Sequence, residues 1–153
     1  MKLNHVLCWI RRDLRLSDHR AFLEACNATQ TVTLVFVFDT TILSKLKDKD
    51  DRRVTFIYHS LKEMDHKLRK KGSALVILHG NPCKEIPSLA RKLSVGAVFC
   101  NSDYEPHAKK RDENVTKTLK SMGIRFYKFK DQVVFESLEV ATQSGNPFRV
   151  FTH

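Results

Sequence analysis

Four stretches of this chain are apolar at almost every position: residues 5–10, 32–38, 74–78 and 97–100. A fifth, weaker run covers 124–127. Short continuous runs rich in Val, Ile and Phe predict strands covered on both faces, as in a parallel sheet sandwiched by helices. Between the runs the spacing becomes helical. Val54, Ile57, Leu61, Met64 and Leu68 recur at three- and four-residue intervals and draw one stripe down a helix. Ile86, Leu89 and Leu93 do the same behind Pro82 and Pro87, and Val115, Leu119 and Met122 do so ahead of Gly123, a good terminating residue. Residues 18–26 form the first helix, with Ser17 or Asp18 as its cap.

Strands and helices therefore alternate through five strands. That order predicts a doubly wound five-stranded parallel sheet, a Rossmann-like three-layer α/β sandwich with right-handed crossovers. Sheets of this kind bind ligands outside the carboxyl ends of their strands, near the point where strand order reverses. The loops nominated by that rule are 9–16, 38–42, 79–82 and 101–106. After Asp131 the pattern changes, and Gln143-Ser144-Gly145-Asn146-Pro147 reads as an exposed loop. The expected division is an α/β domain over 1–131 and the start of an interdomain linker over 132–153.

Composition narrows this picture in three ways. The chain has 153 residues, 42% of them apolar and 29% charged, enough for a core and unlike a disordered chain. Its net charge of +10 favours polyanionic partners, although Lys clusters on helices are also ordinary solvated faces. Its four cysteines form no CxxC pair, and Cys8 and Cys100 lie inside apolar strands. With no export signal and no apolar run long enough to cross a membrane, the expectation is a monomeric protein of the reducing cytoplasm without a membrane partner.

Several chemistries are missing. Neither GxGxxG nor GxxxxGK[ST] occurs among only five glycines, so a tight phosphate cradle is not expected. No metal-ligand spacing, nucleophile elbow or paired acid and base stands out. What occupies the nominated edge is charged. Arg11, Arg12, Asp13, Arg15 and Asp18 fall within eight residues, and Asn101-Ser102-Asp103-Tyr104-Glu105-Pro106 follows the fourth strand. The first group can bind an anion or brace its own loop, with Arg15 and Asp18 pairing locally. In the second, the carboxylates can accept from a heterocycle's N–H groups, or Ser102 or Asp103 can cap the next helix.

Trp9-Ile10-Arg11-Arg12-Asp13-Leu14-Arg15-Leu16-Ser17-Asp18 resembles the opening signature of the DNA photolyase/cryptochrome family. The resemblance continues in order through Phe36-Val37-Phe38-Asp39, Arg53 with Phe56, Ser60 and Leu61, then Asn101 with Asp103-Tyr104-Glu105-Pro106 and Arg111-Asp112. It ends in Gly145-Asn146-Pro147-Phe148-Arg149-Val150-Phe151-Thr152. It implies the N-terminal α/β domain that holds an antenna pigment. In the family a larger helical domain follows, which carries flavin adenine dinucleotide (FAD) and meets damaged DNA.

On that resemblance the pigment is expected against Arg11, Asp39, Arg53 and Asp103. Asp103 would accept hydrogen bonds from the ring, and Arg53 would meet a polar or anionic tail. Trp9 packs near the ring or is plain core, and Glu105 and Arg111 bind or pair within the domain. Where folate-binding members carry Asn-Glu, this chain has His107-Ala108, which favours a deazaflavin- or flavin-type pigment over a folate. His19 stands where Asn is common. The chain stops inside the family's pattern, so it reads as a domain fragment or a naturally short protein. Its full-length parent would split pyrimidine dimers with light and FAD, and this chain alone would not be catalytic. The alternatives are a cryptochrome-type photoreceptor fragment and a stand-alone flavin- or nucleotide-binding module.

Overall fold

The computed structural model describes residues 3–48, 50–135, 139–140 and 145–146. Five strands form one sheet: β1 (Val6–Ile10), β2 (Val32–Asp39), β3 (Leu75–Gly80), β4 (Ala97–Asn101) and β5 (Arg125–Phe129). All pairings are parallel and the spatial order is β3-β2-β1-β4-β5. Strand order reverses between β1 and β4, which places the switch point at the ends of the two most deeply buried strands.

Helices cover both faces. On one side α1 (Arg20–Ala28) and α3 (Arg52–Arg69) pack over Val6, Cys8, Ile10, Leu34 and Phe36. On the other, α4 (Pro82–Lys92) and α5 (Pro106–Ser121) pack over Leu7, Trp9, Val35, Val37 and Val98. Alternate residues of each central strand thus feed alternate cores, which is why β1 and β4 read as unbroken apolar runs. The α3 stripe buries Leu61, Met64 and Leu68, each contributing about 1.5–3 kcal/mol over exposure. Pro82 sits in the first turn of α4, where its missing N–H leaves no gap.

The expected elements are all present, with shifted edges. α1 starts two residues later than expected, and neither Ser17 nor Asp18 caps it. Asp18 takes a left-handed backbone (φ 50°), and His19 becomes the cap, its Nδ1 accepting from the Phe22 N–H. A short helix α2 (Thr40–Leu43), expected as loop, turns off the end of β2 because the Asp39 carboxylate accepts from the Thr41 N–H. α5 is preceded by Glu105 rather than capped by Ser102 or Asp103. Arg15 bonds the Asp18 backbone oxygen and the Asp131 carboxylate, not the Asp18 carboxylate. Gly123 follows α5 with φ 73°, as its terminating role requires. The expected loop around Pro147 and the resemblance over 147–152 lie outside the described residues, as does most of the expected linker.

Candidate functional site

The switch point is not an open crevice; it is filled by a polar brace. The Arg11 guanidinium donates to both Asp112 oxygens at 2.8 and 2.9 Å and to the Asn101 carbonyl at the end of β4. Both side chains of this ion pair are buried. Beside it, Asp13 accepts from the Arg11 backbone N–H at 2.8 Å, from the Asn101 amide at 2.6 Å and from His19 Nε2 at 2.8 Å. Asn101 Oδ1 in turn accepts from the Ala21 N–H. Burial opposes ionisation of Asp13, but hydrogen bonds from His19 and from the Arg11 backbone outweigh it and hold its pKa at about 2. The charged cluster of the first loop therefore ties β1, β4, α1 and α5 together.

Next to the brace, at the carboxyl ends of β1 and β2, lies a narrow crevice of about 160 Å³. Trp9, Arg11, Val37, Asp39, Pro82 and Arg111 help line it. Trp9 is fully buried between two guanidinium groups, Arg11 at 5.1 Å and Arg111 at 4.9 Å from its ring centroid. Asp39 accepts twice on Oδ1, from the Thr41 N–H and hydroxyl. Its Oδ2 is buried and has no hydrogen-bond partner among the described residues. A carboxylate oxygen left unpaired in a buried position is costly and marks a place for a donor from outside the chain.

The crevice shares Arg11, Arg12 and Ile57 with an open cleft of about 570 Å³, further lined by Leu14, Arg52, Arg53 and Phe56. Arg53 is exposed and currently holds Asp51, with Nε at 2.9 Å from Oδ1. Phe56 offers an exposed aromatic face. An apolar slot with one unpaired acceptor, opening onto arginines, can accept a hydrogen-bond donor in the slot and an anionic group at its mouth.

Three expected residues, Trp9, Arg11 and Asp39, thus meet at the crevice, and Arg53 lies in the adjoining cleft. Asp103 and Glu105 are drawn elsewhere, to the Arg12 guanidinium at 3.7 and 2.6 Å, and line neither space. Arg11 lines the crevice while its donors are spent on Asp112 and Asn101. Sequence reasoning placed Arg12 and Ile42 in the nominated loops without singling them out as lining residues, and missed Arg52 and the roles of Asn101 and His19 in the brace. A polar Asn closing an otherwise apolar strand was the available signal for the latter. Ala108 is buried in the first turn of α5 and His107 is exposed. Among the described residues no cluster suits a metal ion, and no helix is long and apolar enough to cross a membrane.

Residues 6–153 match the DNA photolyase family. A deoxyribodipyrimidine photo-lyase of Synechococcus is 36% identical over 146 residues, covering 95% of this chain and 30% of the relative. Two solved structures share the fold throughout. A bacterial class III photolyase of Agrobacterium tumefaciens superposes with a TM-score of 0.83 at 28% identity, over 99% of this chain and 31% of that one. An archaeal photolyase of Sulfolobus tokodaii, described with two FAD molecules and as implying a novel light-harvesting cofactor, superposes with 0.78 at 32% identity over 87% and 31%. The chain spans about a third of the length of these relatives. Its opening arginine and aspartate signature, its strand order and this likeness over nearly every residue agree: the chain belongs to the DNA photolyase family.

Proposed function

We propose that this chain is the antenna-pigment-binding domain of a DNA photolyase, and that the crevice at the ends of β1 and β2 receives the pigment ring. The observation that carries this reading is the buried, unpartnered Oδ2 of Asp39 beside Trp9 and Arg111. A ring imide N–H satisfies that oxygen, while the apolar walls exclude water from the ring. Arg53 leaves Asp51 to meet an anionic tail, an exchange of one exposed ion pair for another that costs little. Both features suit a deazaflavin or flavin. The absence of a carboxylate at His107-Ala108 counts against a folate.

When bound, the pigment absorbs light and passes excitation to an FAD held by a helical domain of the parent, which acts on pyrimidine dimers in DNA. This chain contributes position and shielding. The four free thiols suit the reducing cytoplasm. The end of β5 at Phe129 supports a domain boundary near 131.

The test is a fluorescence titration of the chain with a deazaflavin, flavin mononucleotide and a reduced folate, with iodide as external quencher. One of the first two is expected to bind and to be protected from iodide. Protection of the folate alone overturns the pigment class; protection of none overturns the antenna reading.

A further inference from the structure

We infer that the flank formed by α5 and the edge strand β5 is a sequence-independent contact surface for the phosphate backbone of duplex nucleic acid. β5 is the edge strand, two places from β1; Arg111 of α5 lines the crevice but is not part of this surface, and the inference does not depend on the pigment. Residues 106–130 hold eight Lys and Arg against two Asp and Glu, so one sixth of the chain carries more than half of its net charge of +10. Two of the eight are used internally: Arg111 bonds Asp112, and Lys130 bonds Glu139. Lys109, Lys110, Lys117, Lys120, Arg125 and Lys128 are exposed, and none forms an ion pair among the described residues.

Helix geometry aligns them. α5 buries Ala108, Asp112, Val115 and Leu119. At about 100° per residue its four exposed lysines fall within about 100° of one another, and Lys120 of the four borders β5. Thr116 and Lys120 share a groove of about 380 Å³ with Arg125, Phe126 and Tyr127. The Arg125 guanidinium lies 5.8 Å from the half-exposed Tyr127 ring, joining a cation to an aromatic face. Lys128 extends the row along the strand.

A row of six exposed cations, with the exposed Glu113 the one carboxylate inside the arc of α5 lysines, concentrates a polyanion. A membrane surface fits less well, because the flank exposes no aliphatic side chain to insert. The exposed Leu23, Ile42, Phe56 and Ile77 all belong to other elements. With six phosphates neutralised, affinity should fall about 10³-fold between about 50 and about 200 mM salt.

Fluorescence anisotropy of the full chain with a labelled, undamaged duplex tests this. Lys117→Glu with Lys120→Glu should weaken binding at low salt at least ~10-fold and lower the salt slope by about two. The matched pair Lys70→Glu with Lys71→Glu, in the turn just after α3, should change it less than ~2-fold. If the first pair misfolds by circular dichroism, Lys117→Gln with Lys120→Gln carries the same expectation for the slope. The inference is overturned by no binding at low salt, by equal losses in the two pairs, or by capture on phosphatidylserine vesicles without capture of the duplex.

Discussion

Asp39 takes two hydrogen bonds from Thr41 on one oxygen, at 2.8 Å from the backbone N–H and 2.7 Å from the hydroxyl, and leaves the other oxygen buried and unpaired among the described residues. The first oxygen shapes the turn into α2; the second, on the proposed reading, accepts from the pigment ring. Asp39→Asn separates the two roles, because its amide oxygen can keep the cap while its NH₂ replaces the free acceptor. The expected outcome is a pigment affinity lowered about 5- to 150-fold, the cost of leaving a buried donor unmet. The thermal midpoint of the ligand-free chain should hold or rise, since a buried charge has been removed. A parallel loss of stability and affinity would assign Asp39 to the turn alone.

Arg11 poses the opposite case. It lines the crevice, yet its guanidinium is committed to Asp112 and Asn101. Asp112→Ala strands a buried guanidinium and is expected to cost about 3–5 kcal/mol in urea unfolding. Combining Arg11→Met with Asp112→Leu should recover much of that loss, as buried ion pairs replaced by apolar groups often do. Pigment binding by the double variant, once refolded, would show that Arg11 braces the sheet rather than contacts the ligand.

The layout of the sheet was readable because β1 and β4 are buried on both faces and the helices between them carry one clean stripe each. Element ends were less legible. Nothing local marks His19 as a cap; its ring is held by Asp13 and Asn101, one of them 82 residues away. The site was half legible for the same reason. Asp39 and Trp9 end adjacent strands, and strand order alone brings them together. Asp103 and Glu105 also follow a strand, but Arg12, 93 residues from Glu105 along the chain, claims both carboxylates.

Arg53 gives a test that separates ring from tail. Its side chain is exposed and bound to Asp51. Arg53→Ala should reduce affinity for flavin mononucleotide about 5- to 10-fold, the scale of one charge-assisted contact at a partly open site. Affinity for lumiflavin, which has the ring without the phosphate tail, should change less than ~2-fold. Equal losses for both ligands would place Arg53 against the ring, and no loss for either would place the tail elsewhere.

Asp13 makes the brace sensitive to acid. Its folded pKa of about 2 lies below the ordinary value of 3.8. A carboxylate with a depressed folded pKa contributes stability that is fully present above its unfolded value. That contribution is lost as pH falls through the folded one. The window is therefore from about pH 4 down to about pH 2, and the contribution is about 2 kcal/mol. Urea unfolding at pH 7, 4 and 2 should show that loss in the parent chain on top of losses from other carboxylates. In Asp13→Asn, which keeps an acceptor but cannot ionise, the fall over this window should be smaller by about the same 2 kcal/mol. Because Asp13 holds His19 at the start of α1 and Asn101 at the end of β4, the excess loss in the parent should appear as earlier opening of α1 amides in hydrogen exchange. An identical pH dependence in parent and variant would move the acid sensitivity of the fold away from this brace.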